Sequence, residues 1–141
     1  MLKLSVLYKM IGFILAITIL MGCSDSTPIK VGMVASLSGR RSQLGVSARN
    51  AVLMAVKLVN EEGGISGRKV ELIIKDNKGE AEECGKALTV LMDEGAVAIV
   101  GPVMSKMAKI VLSTIKGKNA LVISPTMSAD SIKNIDDEFL R

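Results

Sequence analysis

Three hydroxyl side chains in the second half of the chain are the best candidates for holding a small ligand. Ser105 opens a predicted helix, and Thr126 and Ser128 follow directly after a predicted strand. A serine at the start of a helix leaves backbone N–H groups directed outward, which favours a carboxylate or a phosphate. On spacing alone, the favoured interpretation of Ser105 is a plain N-cap. Thr126 and Ser128 can likewise be turn hydroxyls bonded to their own backbone.

The composition excludes most catalytic and nucleic-acid chemistry within these residues. The chain has no histidine, which excludes a Ser–His–Asp triad, a Cys–His dyad and any zinc site with a histidine ligand. The few aromatic residues, Tyr8, Phe13 and Phe139, cannot form a base-stacking platform. No G-x-G-x-x-G occurs, and the segment 79–86 lacks the spacing of a P-loop. We therefore expect no enzyme, no nucleic-acid partner, no cofactor and no metal.

Two further residues could carry chemistry but have simpler interpretations. Asp76 follows a predicted strand, where a phosphoacceptor site would need a second acid beside it, so a turn-forming role is favoured. Cys84 lies on the apolar stripe of a predicted helix and is interpreted as a small core residue. With Cys23 as the other cysteine, no disulfide framework is expected.

The elements that must position these residues alternate between strands and helices. Apolar runs predict strands at 29–35, 70–74, 96–100 and 120–123, and a 3–4 apolar spacing predicts helices at 44–62, 80–94 and 105–116. In the first helix the predicted buried stripe is Ala48, Ala51, Val52, Ala55 and Val59. The order βαβαβαβ predicts an α/β fold with a parallel sheet and helices on both faces. In such a sheet, ligands bind beyond the carboxyl ends of the strands.

The first residues of the chain have the layout of an export signal. Lys3 and Lys9 precede an uncharged apolar run, 10–22, that is shorter than the ~20 residues of a membrane-spanning helix. The run ends in Leu20-Met21-Gly22-Cys23, which resembles a bacterial lipobox, although Met21 is larger than usual there. We expect a lipoprotein signal at 1–22, lipidation of Cys23 and a polar tether at 23–28. An ordinary signal peptide or an uncleaved anchor are the alternatives.

The segments from Ile29 to Arg141 together resemble a known family. The stretches that carry the resemblance are Ile29-Lys30-Val31-Gly32, Ser38-Gly39 with Gly45, Asn60-Glu61-Glu62-Gly63-Gly64-Ile65-Ser66-Gly67-Arg68 followed by a strand and Asp76, Ala98-Ile99-Val100-Gly101-Pro102-Val103-Met104-Ser105, and Leu121-Val122-Ile123-Ser124-Pro125. They resemble the N-terminal lobe of the leucine/isoleucine/valine-binding family, the extracytoplasmic solute receptors of ABC importers with the type I periplasmic-binding fold. The last residues, 136–141, resemble the segment that leads towards the hinge between the two lobes.

The resemblance implies a role for each candidate residue. The family's serine at Ser105 binds the α-carboxylate of an amino acid, and the positions of Thr126 and Ser128 hold the α-carboxylate and α-ammonium. Leu44, Val103 and Met104 match the wall of the side-chain pocket. Leu44 replaces an aromatic of the leucine-binding members, and Ser36 stands where proline is common, so the resemblance does not extend to a particular substrate.

The resemblance also implies partners and a location. An amino-acid-like solute, an ABC permease and a lipid-anchored position in the bacterial cell envelope are expected. Members of the family are more than twice as long, so 29–141 is expected to be an incomplete first lobe without the second lobe. The alternatives are a truncated or split-gene remnant with little binding of its own, and an envelope enzyme with a doubly wound fold, which the absent catalytic residues disfavour.

Overall fold

The structure, a computed structural model, describes residues 27–40, 42–119, 121–128 and 139–140. The predicted signal segment at 1–22, Cys23 and most of the predicted tether lie outside these ranges and stay predictions. Within the described ranges, no helix is both long enough and apolar enough to cross a membrane.

The described elements alternate between strand and helix from Ile29 to Ile123. They are β1 (Ile29–Ala35), α1 (Ser42–Glu61), β2 (Val70–Asp76), α2 (Ala81–Asp93), β3 (Ala98–Val100), a 3₁₀ turn (Ser105–Met107), α3 (Ala108–Ile115), β4 (Leu121–Ile123) and β5 (Phe139–Leu140). The predicted α/β order is confirmed.

All neighbouring strands in the sheet are parallel, in the order β2-β1-β3-β4-β5. Met33 in β1 lies opposite Ile74 in β2 and Val100 in β3, so the strands are aligned near their carboxyl ends. The loops that follow β1, β2, β3 and β4 therefore meet along one edge of the sheet, as predicted.

The main core lies between the sheet and the pair of helices α2 and α3. Leu88 and Leu91 of α2, Val111 of α3, and Ile99 and Val122 of the strands are fully buried there. Because Gly32 has no side chain, α2 can pack closely against β1. A Cβ at Gly32 would lie 3.0 Å from a methyl group of Leu91. Cys84 is fully buried in the same cluster, as its position on the apolar stripe predicted.

Helix α1 packs against β1 and β2 and is covered much less completely. The predicted stripe is partly wrong, because Ala51 and Ala55 are exposed, whereas Val52, Val56 and Val59 are partly buried. Four large apolar side chains of α1 are also exposed, namely Leu44, Leu53, Met54 and Leu58. The helix is apolar around most of its circumference, so the sequence pattern does not single out the side that faces the sheet.

The segment between α1 and β2 is fixed by Asn60 and a glycine turn. The Asn60 amide donates to the backbone oxygen of Val70 (2.8 Å) and accepts from its N–H (2.7 Å), as a neighbouring strand would. Gly63 and Gly64 end the helix at positive φ, 103° and 84°, where side chains other than glycine are unfavourable. This geometry explains the Asn60–Arg68 stretch on which the family resemblance partly rests.

Several boundaries differ from prediction, and one strand was not predicted. Strand β3 begins at Ala98 because the backbone of Val97 bonds to Lys30 and Leu121 outside the regular ladder. The third helix begins with a 3₁₀ turn, and the α-helix proper starts only at Ala108. Strand β5 was not predicted, because two residues carry no periodic pattern.

Candidate ligand-binding site

The carboxyl ends of β1 and β2 are joined by the side chain of Asp76. One carboxylate oxygen accepts from the backbone N–H of Leu37 and of Lys78, both at 2.8 Å, and the other accepts from the Ser38 hydroxyl at 2.6 Å. Partial burial alone raises the pKa of Asp76, but these hydrogen bonds outweigh it and hold the pKa below its usual value of 3.8. Asp76 therefore organises the two loops, as the turn-forming interpretation predicted.

A buried pair reinforces the same junction. The Ser36 hydroxyl donates to Oδ1 of Asn77 at 2.8 Å, and the Gly79 N–H donates to the same oxygen at 3.0 Å. Both Ser36 and Asn77 are almost completely buried. Sequence analysis missed them as structural residues, although their positions directly after β1 and β2 were the available signal.

On the other half of the edge, three hydroxyls connect the loop after β4 to the loop after β3. The buried Ser124 hydroxyl donates to the Pro102 carbonyl at 2.7 Å, and the Thr126 hydroxyl donates to the Val103 carbonyl at 2.7 Å. The backbone N–H of Ser128 donates to the Ser105 hydroxyl at 3.2 Å. The structure thus places the three predicted ligand residues, Ser105, Thr126 and Ser128, in one cluster.

Ser105 is not an N-cap, so this part of the prediction is wrong. The residue at the N-cap position of the 3₁₀ turn is Met104, which makes no side-chain capping bond, and Ser105 is the first residue of the turn. The difference has a chemical consequence. The Ser105 hydroxyl accepts from Ser128 and makes no hydrogen bond as a donor to any described residue, so its proton can be donated to a bound anion.

Two adjoining depressions open at the same edge of the sheet, and Ser105, Thr126 and Ser128 line neither of them. One, of about 370 Å³, is lined by side chains or backbone of all three neighbouring loops: Ser36, Ser38, Gly39, Arg40, Lys78, Gly79, Glu80, Met104 and Lys106. The other, of about 340 Å³, is lined by Arg40, Gln43, Leu44 and Met104. Of the three predicted wall residues, Leu44 and Met104 line these spaces. Val103 does not line them, because its side chain is buried. Its carbonyl oxygen accepts the hydrogen bond from the Thr126 hydroxyl.

Comparison with known proteins identifies the family. The profile described as "Periplasmic binding protein" matches residues 28–138. The chain belongs to the periplasmic binding protein family. This confirms the resemblance to leucine/isoleucine/valine-binding proteins found in the sequence.

Two relatives are substrate-binding proteins, and one of them is named for amino-acid binding. A Leu/Ile/Val-binding protein of Rhizobium johnstonii is 32% identical over 104 residues, which cover 74% of this chain and 28% of that protein. A substrate-binding protein of a chemotactic signal transduction system in Halobacterium salinarum is 32% identical over 108 residues, covering 74% of this chain and 26% of that protein.

Solved structures agree on the fold. A branched-chain amino acid transporter substrate-binding protein from Streptococcus pneumoniae, crystallised with isoleucine, matches with a TM-score of 0.76 at 27% identity. The match covers 80% of this chain and 33% of that one. The chain therefore has the α/β architecture of periplasmic binding proteins, and it spans between about a quarter and a third of the length of these three relatives.

Proposed function

We propose that this chain forms the amino-acid-binding edge of a solute-binding component of an ABC importer and captures its ligand without chemical conversion. The observation that supports the proposal most strongly is the Ser105–Ser128 hydrogen bond, which places two predicted ligand residues side by side at the carboxyl edge of the sheet. The names of the relatives and the isoleucine complex of one of them support an amino acid as the ligand.

The proposed contacts divide between the two charged groups of an amino acid. The Ser105 hydroxyl donates its proton to the α-carboxylate. The Thr126 hydroxyl already donates to the Val103 carbonyl, so its oxygen is left to accept from the α-ammonium. Ser128, exposed at the end of the cluster, adds a further contact to the same groups.

These contacts set the affinity that the described residues can provide. Hydrogen bonds to charged groups contribute ~1.5–3 kcal/mol each, and association costs at least ~4 kcal/mol. Three such bonds leave only a few kcal/mol, which corresponds to roughly millimolar binding. Tight capture requires contacts from beyond these loops, and recognition by a permease would follow closure over the bound ligand.

Replacing Ser105 with alanine is expected to weaken amino-acid binding by about tenfold, since it removes the hydroxyl proposed to donate to the α-carboxylate. The dissociation constant can be measured from amide chemical shifts of the ¹⁵N-labelled full chain in detergent micelles, titrated with L-leucine. Ser113→Ala is the matched control, because Ser113 is an exposed serine of α3 whose hydroxyl bonds to the Ile110 carbonyl. Equal binding by Ser105→Ala and Ser113→Ala would contradict the proposed role. No binding by the unmodified chain would favour the remnant alternative.

The proposal includes a lipid anchor at Cys23, which places the binding edge at the outer face of a membrane in the cell envelope. The lipobox-like Leu20-Met21-Gly22-Cys23 supports it. Two acyl chains on one diacylglyceryl group suffice for stable anchoring.

Cells grown with labelled fatty acid are expected to incorporate the label into the unmodified chain, and Cys23→Ser should abolish both the label and partitioning into detergent. Cys84→Ala is the matched control and should keep the label, because Cys84 is the chain's other cysteine and is buried. An unlabelled wild-type chain would rule out lipidation.

A further inference from the structure

The larger of the two depressions is rich in positive charge. Arg40 from the loop after β1, Lys78 from the loop after β2 and Lys106 from the 3₁₀ turn all line it. Glu80 is the only acidic residue among its lining residues. Three separate segments, brought together by the strand order β2-β1-β3, thus supply cations to one space of about 370 Å³.

Two of the three cationic side chains form no ion pair with the described residues, whereas Lys78 does. Lys78 lies 3.5 Å from Glu83 in an ion pair whose lysine side chain is 63% exposed. Arg40 and Lys106 form no ion pair with any residue that the structure describes. The nearby Asp76 carboxylate is bonded to backbone N–H groups and to Ser38 instead of to a cationic side chain.

The basic depression adjoins the proposed amino-acid site. Met104 and Lys106 line it, and Ser105 lies between them in the chain. Gly79 also lines this space, at φ 78°, where a residue other than glycine would be strained. For the depression to serve the same ligand, a side chain that starts from an α-carboxylate at Ser105 must extend past Met104 towards the three cations.

We propose that this depression receives a second anionic group of the ligand, a carboxylate or a phosphate, so that the preferred solute is an acidic amino acid or a close analogue. The inference rests on the proposed amino-acid site and specifies the ligand for it. A branched aliphatic side chain, such as that of the isoleucine bound by the Streptococcus pneumoniae relative, would leave these cations without a partner. An anionic side chain gains charge-assisted hydrogen bonds from them.

The test compares L-glutamate and O-phospho-L-serine with L-glutamine, at constant ionic strength, by amide chemical-shift titration of the ¹⁵N-labelled full chain. Glutamine has the size of glutamate without its second charge. We expect at least one acidic ligand to bind about tenfold more tightly than glutamine. The stronger of the two identifies a carboxylate or a phosphate as the preferred group.

Arg40→Gln and Lys106→Gln should each weaken binding of that acidic ligand by about threefold and leave glutamine binding unchanged. Lys109→Gln is the matched control, because Lys109 is an exposed lysine of α3 that does not line the depression. If glutamine binds as tightly as the stronger of the two acidic ligands, this inference is overturned while the amino-acid site still stands. An equal effect of Lys109→Gln would also overturn it, since only general charge would then matter. Failure of all three ligands to bind would overturn both proposals.

Discussion

Replacing Gly45 with alanine is expected to lower the free energy of unfolding by about 3 kcal/mol. Gly45 is the buried residue in the first turn of α1, where the helix crosses the end of β1. A Cβ at this position would lie 2.0 Å from the carbonyl oxygen of Ser36 and 2.7 Å from its carbonyl carbon. These are backbone atoms, so the overlap can be relieved only by moving the helix away from the strand. Alanine's helix propensity, ~1 kcal/mol better than that of glycine, offsets only part of this cost.

Denaturant titration of Gly45→Ala beside Ser47→Ala tests this expectation. Ser47 is an exposed residue of the same helix, and its replacement should change the free energy of unfolding by less than ~0.5 kcal/mol. If the two variants are equally stable, α1 does not approach Ser36 as closely as the structure shows. The outcome also bears on the site, because Ser36 lines the basic depression.

Stability is expected to fall by about 2–3 kcal/mol between pH 9 and pH 11, because Cys84 ionises more readily in the unfolded chain. Burial raises the pKa of the Cys84 thiol from 9.0 to about 11, and the nearby Asn77 side chain opposes this only slightly. Below pH 9 the thiol is neutral in both states, so its contribution to stability is fully present. As the pH rises from 9 towards 11, the unfolded chain loses this proton first, and the contribution is lost.

Comparison with Cys84→Ala isolates this effect. The variant has no thiol at this position, so its stability should decline less steeply over the same range, while all other ionisable groups are the same in both proteins. The same burial predicts that a thiol reagent labels Cys84 only when the chain unfolds. Parallel pH curves for the two proteins, or rapid labelling of Cys84 in the native state, would contradict the burial of Cys84.

The sheet and its helices could be predicted from sequence because each element has a strong local pattern. Continuous apolar runs indicated β1 and β3, and Gly63 and Gly64 indicated the end of α1. Patterns failed where they were ambiguous or short. The apolar residues of α1 surround the helix, so Ala51 and Ala55 were placed on the wrong side, and β5 has only two residues.

The candidate site could likewise be predicted from the sequence only in part. Ser105, Thr126 and Ser128 could be named because they follow strands whose ends must meet. The detailed role of Ser105 could not be predicted, because Met104 occupies the N-cap position and the Ser105 hydroxyl accepts from the Ser128 N–H instead. Arg40, Lys78 and Lys106 lie in three distant segments, and only the folded sheet order shows that they share one depression.

The most direct test of the proposed function is to map where an amino acid binds and which of its groups are required. The ¹⁵N-labelled full chain in detergent micelles would be titrated with L-leucine and L-glutamate, and with the methyl ester and N-acetyl derivatives of each. We predict saturable shifts, with roughly millimolar dissociation constants, at the amides of Ser105, Thr126 and Ser128. The esters and N-acetyl derivatives should bind much more weakly, because they lack the charged groups that these residues contact. Saturable shifts confined to other parts of the chain, or equal binding by the blocked derivatives, would contradict an amino-acid site at this edge of the sheet.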